Sequence, residues 1–216
     1  MITLYIDTSM DDLTICLLKD EKILSKKTRK CKNEHSVYTV SYIKDVLDGV
    51  SMQPNDVDTI MVVNGPGSFT GLRIGVSVAK TYGYLLKKKV ILVSSLRQMA
   101  ISVKNQIAIS LIDAKNGNYY MGIYDMFDND VKYEKFASKD EVILQIEKYE
   151  DAKLISNKNF KIDDYEVEKV ELDIEQIVDY YKNENPTNIH DIKPNYLKLP
   201  QVLEAREWLE KVVEKI

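Results

Sequence analysis

Asn64-Gly-Pro-Gly-Ser-Phe-Thr-Gly-Leu-Arg73 changes character twice. It follows Ile60-Met-Val-Val63, a short, partly β-branched apolar run bounded by turn residues, which predicts a buried strand. It then opens a helix from about Gly71 to Leu86. Leu72, Ile74, Val76, Val78, Ala79, Tyr82, Tyr84, Leu85 and Leu86 go nearly all the way round that helix, and Arg73 and Lys80 are the only charged residues that interrupt them. A helix of this kind is covered on more than one side. Five of the eight glycines (Gly65, Gly67, Gly71, Gly75 and Gly83) fall in the loop and the helix, which implies positive φ or very close backbone approach.

The loop has two readings. Ser68, Thr70, the free amides of the helix start and the helix dipole suit an anion or a carbonyl group. A strand-to-helix turn also needs glycine for geometry alone. Asp7, at the end of the first strand and followed by Thr8, either holds a magnesium-bound phosphate or caps its turn. Arg73 opposes the dipole unless an anion or carboxylate compensates it. Asp7, Thr8, Gly65, Gly67, Ser68, Thr70 and Arg73 are therefore one candidate set: an anion site or a purely structural loop. A Walker-type phosphate loop is excluded, because Gly71 is followed by Leu72 rather than lysine. A dinucleotide fingerprint fails too, since the next strand, Val90 to Val93, ends in Ser94-Ser95 without a carboxylate for a ribose.

Gly75, Ala79 and Gly83 recur every four residues and leave one stripe nearly bare, so another element can approach closely, either the helix's own sheet or a helix of another chain. Glu34 to Val50 predicts a second, amphipathic helix, with Val37, Val40, Ile43, Leu47 and Val50 on its apolar side and Tyr38, Ser41, Tyr42 and Asp45 opposite. The docking reading collects Tyr38, Tyr42, Asp45, Leu72, Gly75, Val76, Ala79, Tyr82 and Gly83 as partner-binding positions.

Outward from this centre, Ile2 to Ile6, Leu13 to Leu18 and Ile23 to Arg29 predict a three-strand meander. The helix, the buried strand, the glycine loop, the long helix and the Val90 strand follow, with a short helix from Ser95 through Val103. Meander, helix, strand, helix, strand is the order of a ribonuclease-H-like domain, the unit duplicated in the actin-like ATPase group. The order begins again after Asn105: strands at Ile107 to Ile112, Tyr119 to Phe127 and Val131 to Phe136, a capping box from Ser138 to Glu141 opening a helix to about Tyr149, and a strand at Leu154-Ile-Ser156. Ile162 to Glu171 is charged and indistinct, Ile174 to Asn183 looks helical, and Ala205, Leu209, Val212 and Ile216 with Trp208 define a last helix. The expected fold is thus α/β, with two ribonuclease-H-like domains, residues 1–105 and a reduced 106–216. Asp113 stands to the second meander as Asp7 stands to the first. The second half has only Gly117 and Gly122, so no strong ATP site and no cofactor are expected.

The net charge of −4 conceals an asymmetry: residues 1–105 carry 15 basic and 10 acidic side chains, a balance of +5, and residues 106–216 carry 15 and 24, a balance of −9. The whole is a poor nucleic-acid binder, although Lys26-Lys-Thr-Arg-Lys30 with Lys32 could join a basic surface built by an assembly. No apolar run spans a bilayer and no leader is visible, so a soluble, cytoplasmic protein without membrane contact is expected. Cys16 and Cys31 are expected to be free thiols, because the hairpin puts Cys16 opposite about Ser25, and no zinc site is expected.

Asn64 to Gly75, with Ile6-Asp-Thr-Ser9, Leu111-Ile-Asp-Ala114 and Pro194-Asn-Tyr-Leu197, resembles the TsaB (YeaZ) family of tRNA threonylcarbamoyladenosine biosynthesis proteins. The likeness is most specific over residues 59–86. The resemblance implies an accessory subunit with no catalytic residues of its own, which pairs with its relative TsaD through helices of the first domain. TsaD would carry the metal and transfer threonylcarbamoyl to the adenosine beside the anticodon, and the ATPase TsaE would join the pair. It also implies contact with tRNA only through the complex; a homodimer without TsaD is a further reading, because an unpartnered docking surface often pairs with itself through the same helices. The catalytic relative carries a His-x-x-x-His helix. Here the comparable helix offers His35 and then Thr39, so no metal is expected. The alternative is a free-standing ATP-dependent phosphotransferase of the sugar-kinase group, with Asp7 or Asp113 as base or magnesium ligand.

Overall fold

The computed structural model describes residues 1–31, 34–104, 106–128 and 130–198. Lys32, Asn105 and the expected last helix around Trp208 lie outside the described residues. Two sheets share one plan. In the first, β1 (Ile2–Asp7), β2 (Asp12–Lys19) and β3 (Lys22–Lys30) form the meander, and β4 (Thr59–Gly65) and β5 (Lys89–Ser94) add in parallel to β1, giving the order β3-β2-β1-β4-β5. In the second, β6 (Ile107–Asp113), β7 (Asn118–Asp125) and β8 (Asp130–Ser138) repeat the meander. The strands β9 (Lys153–Ser156), β10 (Phe160–Ile162) and β11 (Tyr165–Lys169) complete the order β10-β11-β9-β6-β7-β8, with β9 parallel to β6 and β11 parallel to β9. This is the α/β, twice-repeated ribonuclease-H-like plan, and among the described residues the helix on the second meander, α4, is shorter than α1 and α2.

Alternation along the central strands explains why the first sheet is covered twice. Leu4, Ile6, Ile15, Ile60, Val62 and Val90 point to one face, where α1 (His35–Asp48) and α2 (Phe69–Leu86) lie. Tyr5, Cys16, Leu18, Met61, Val63, Ile91 and Val93 point to the other, where α5 (Ile174–Tyr181) lays Ile174, Ile177, Val178 and Tyr181. Each such side chain contributes roughly 1.5–3 kcal/mol when fully buried. The chain after the second sheet therefore returns to the first. Residues 187–197 continue this return as a strap: Thr187 N–H donates to Val90 O at 2.8 Å, Lys80 Nζ donates to His190 O at 3.0 Å, and Asn195 N–H donates to Asn64 O at 2.7 Å. Ile192 plugs into the core under α2. The second sheet packs α4 (Lys139–Lys148) on one face and α3 (Ser95–Ile101) on the other, so α3 stands between the two sheets. No helix among the described residues is long and apolar enough to cross a membrane.

Two expectations are corrected. The buried side of α1 is His35, Thr39, Ile43, Val46 and Leu47, whereas Val37 and Val40 are 66 % and 50 % exposed. The helix lies with its 35-39-43-46 stripe on the sheet, which turns Val37 and Val40 outward. Cys16 pairs with Lys26 rather than Ser25, because a bulge between Leu17 and Leu18 shifts the register. Both thiols are free and buried, and burial pushes Cys16 up to about 12.

Candidate functional site

The glycine loop is occupied by the protein itself. A Cβ on Gly71 would meet Thr8 O at 2.1 Å, one on Gly67 would meet Ser9 O at 2.3 Å, and one on Gly65, whose φ is +121°, would meet Asn195 O at 2.8 Å. The end of β1 and the strap thus lie directly on the loop, at distances that only glycine permits. Thr8 Oγ1 donates to Gly71 O at 2.7 Å, Ser68 N–H donates to Ser9 O at 2.7 Å, and Ser68 Oγ caps α2 by accepting from Gly71 N–H at 3.2 Å. The oxygens facing the glycines are carbonyls, which repel an anion. Thr70 is exposed. Arg73 needs no anion: its guanidinium lies 3.9 Å from the Phe69 ring centroid, and its Nε donates to the Tyr196 hydroxyl at 3.0 Å. Asp7, Thr8, Gly65, Gly67, Ser68 and Arg73 come together in a seam between the end of β1, α2 and the strap, and Thr70 stands exposed beside it.

Asp7 is 6 % exposed and its carboxylate is satisfied from within. Ser9 N–H and Ser9 Oγ donate to Oδ1 at 2.9 and 2.6 Å, and Gln98 Nε2 donates to Oδ2 at 3.0 Å. Tyr5 donates to Gln98 Oε1 at 2.7 Å; burial, and then the Asp7 charge, push its hydroxyl well above the ordinary phenol range, so it stays a donor. Asp113, the matching carboxylate, is held differently. Burial raises its pKa, but the Lys115 N–H at 2.9 Å and Lys158 Nζ at 3.2 Å outweigh that and leave it below the ordinary carboxylate value. Among the described residues no group of three His, Cys, Asp or Glu side chains could hold a metal ion. His35 is buried with its Nε2 unpartnered among them, and Thr39 Oγ1 donates to His35 O at 2.6 Å.

The bare stripe of α2 has an occupant too. Gly75 gives room to Thr8, whose Oγ1 would lie 2.3 Å from a Cβ, and Gly83 gives room to Val90, at 2.5 Å. Leu72, Val76 and Ala79 are buried with them, and Tyr82 is half-buried on the same core. Of the two occupants that the spacing allows, the protein's own first sheet makes this close approach. Tyr38, Tyr42 and Asp45 also look inward, toward the basic edge strand: Arg29 lies 4.2 Å from the Tyr38 ring centroid, Lys27 lies 4.9 Å from that of Tyr42, and Lys27 pairs with Asp45.

What stays open is the trough between the two helices. It is a recess of about 490 Å³, walled by Thr39 and Val40 of α1 and by Phe69, Ile74, Ser77 and Val78 of α2. Phe69 is 53 % exposed, and Val37 stands exposed on α1 nearby. Sequence reasoning missed Val40, Phe69, Ile74 and Val78 as a group. The signal was present in two apolar stripes on α1 where one would bury the helix.

A family model described as TsaD, tRNA N6-adenosine threonylcarbamoyltransferase, matches residues 22–177. The tRNA threonylcarbamoyladenosine biosynthesis protein TsaB of Buchnera aphidicola subsp. Schizaphis graminum is 31 % identical over 155 residues, 69 % of this chain and 71 % of that protein. The chain belongs to the TsaB (YeaZ) family. The TsaB of Bacillus subtilis is 36 % identical over 126 residues, 57 % of this chain and 55 % of that protein, so the match spans about half of that relative's length. The structure of YeaZ from Pseudomonas aeruginosa superposes with a TM-score of 0.75 at 20 % identity, over 91 % of this chain and 99 % of that one, and shares the fold.

Proposed function

We propose that this chain is a non-catalytic accessory subunit in the installation of threonylcarbamoyl on the adenosine beside the tRNA anticodon, and that it docks on a TsaD-type transferase through the trough between α1 and α2. The observation that carries the reading is that trough: an apolar surface of exposed Val40 and Phe69 and half-buried Ile74 and Val78 between two helices, in a member of the TsaB family. A central apolar cluster rimmed by Ser36, Thr70 and Ser77 has the make-up of a protein interface. The phosphotransferase alternative is not favoured, because Asp7 already has its donors and carbonyl oxygens face the glycine loop.

The same reading includes TsaE joining the pair, a twofold self-pair through this trough when TsaD is absent, tRNA contact only through the assembly, and a cytoplasmic setting. Val40→Asp and Ser77→Arg place charges at exposed positions of the trough without touching the core. Each is expected to weaken association with the TsaD of the same organism by about a hundredfold or more, roughly 3 kcal/mol, in size-exclusion and titration measurements. Unchanged co-elution of both variants would count against the docking face. ATP turnover or tRNA modification by the isolated chain would count against the accessory role.

A further inference from the structure

Ser94 ends β5 and starts α3, and the two sheets meet at it. Its Oγ donates to Glu134 Oε1 of β8 at 2.6 Å, and its N–H donates to the Tyr181 hydroxyl of α5 at 3.3 Å. The Tyr124 hydroxyl donates to the same Glu134 oxygen at 2.6 Å, and among the described residues no donor lands on Oε2. Beside this seam lies a recess of about 430 Å³, whose polar wall includes Asn64, Ser94, Arg97, Glu134, Tyr181 and Asn195.

Arg97 is the unusual member. It is half-buried, its Nε is buried with no hydrogen-bond partner among the described residues, and its guanidinium joins no ion pair with them. The Tyr181 ring centroid lies 6.0 Å from Cζ and offers no acceptor oxygen to that Nε. A guanidinium keeps its charge in a protein, and a buried donor left unpaired is costly, the more so when charged. Water relieves part of that cost. A carboxylate relieves more, because it accepts two parallel, charge-assisted bonds from the guanidinium fork.

Glu134 and Glu184 share the recess with Arg97, so its charge is mixed. A simple anion meets two carboxylates there, and a simple cation meets the guanidinium. We propose that the recess binds a small zwitterion of the α-amino-acid type, its carboxylate on Arg97 and its ammonium group on Glu134 Oε2. Ile91, Leu92 and Val131 complete the wall and leave apolar surface for a side chain. The trough between α1 and α2 takes no part, so this inference stands independently of the docking reading.

Isothermal titration of the full chain with each of the twenty standard L-amino acids tests it, with acetate and methylamine as one-ended probes. At least one amino acid is expected to bind with a Kd below about 1 mM, and the one-ended probes about tenfold or more weaker. Arg97→Gln is expected to weaken that binding by about tenfold or more, while the unfolding midpoint stays within a few degrees of the parent. Binding by acetate equal to the best amino acid, no amino acid binding below about 1 mM, or undiminished binding by the variant would each overturn the proposal. Should the variant fail to fold, amide shifts of the parent protein decide. Shifts centred on Ser94, Arg97 and Asn195 support the site, and shifts centred elsewhere overturn it.

Discussion

In the first sheet the crossover from β4 to β5 runs through the glycine loop and all of α2; in the second, the crossover from β9 to β11 runs through β10, which is three residues long. The strands on either side of these crossovers follow the same order, and the helix before each crossover, α1 or α4, lies on its own sheet. Parallel pairing at the centre therefore sets the plan, and the crossover is free to vary on it. The first crossover supplies half of an open apolar trough. The second supplies only a hairpin at a sheet edge.

The matching carboxylates differ in the same way. Asp7 is buried among Ser9 and Gln98 and organises the loop, whereas Asp113 faces solvent between two lysines. One copy turned its carboxylate into a structural fastening. The other kept it at the surface.

The comparison breaks most severely at glycine. Gly71→Ala drives a methyl group against Thr8 O and is expected to lower stability by about 3 kcal/mol or more in urea unfolding. Gly117→Ala, with φ at +71° and nothing within 4 Å, should cost about 1 kcal/mol through backbone conformation alone. Equal losses would mean that β1 does not press on the loop.

A smaller contrast separates the carboxylates. Asp7→Asn makes one oxygen a donor in a cluster of donors and should cost about 2 kcal/mol, while Asp113→Asn loses only solvent-exposed pairs and should cost less than about 1 kcal/mol. Thermal or urea unfolding of the two variants ranks them, and a reversed order would remove the structural role given to Asp7.

The smallest contrast is in the helix starts. Ser138 caps α4 reciprocally with Glu141, while Ser68 caps α2 with Gly71 in the corresponding place. Lys135 Nζ and then the Ser138 N–H hold the Glu141 carboxyl at about 2, below its ordinary 4.5. A folded value below the unfolded one gives a contribution that is complete above pH 4.5 and is lost as the pH falls toward 2. The urea midpoint should decline across that window, and Glu141→Gln should remove a small part of the decline, small because the group is exposed. Ser68→Ala should lower the midpoint equally at all pH values, since its cap holds no carboxyl.

Both meanders, the buried strand, α2 and the Ser138 capping box were legible in the sequence because each depends on local spacing. The strands β10 and β11 were not. Their alternation, Phe160-Lys-Ile162 and Tyr165-Glu-Val167, runs for only a few residues on either side of a turn and is too short to stand out among the charges. The helical pattern of α5 (Ile174–Tyr181) could be read, but not the sheet it covers, whose last strand already ends at Ser94. The stripe Gly75-Ala79-Gly83 announced a close contact without naming the contacting element, since spacing records how near something comes and nothing about what it is. Arg97 gave no sign at all: a lone arginine after a strand acquires meaning only when Glu134, from the other sheet, stands across from it.

The strap from Thr187 to Leu197 makes the first half depend on residues that come after the second. A gene fragment ending between the sheets would encode a domain with a bare sheet face and an empty socket where Ile192 belongs. Recombination that exchanged the second half for a foreign one would fail unless the newcomer brought its own α5 and strap. Descendants of this gene are thus constrained to inherit both halves together, even if only one of them meets a partner.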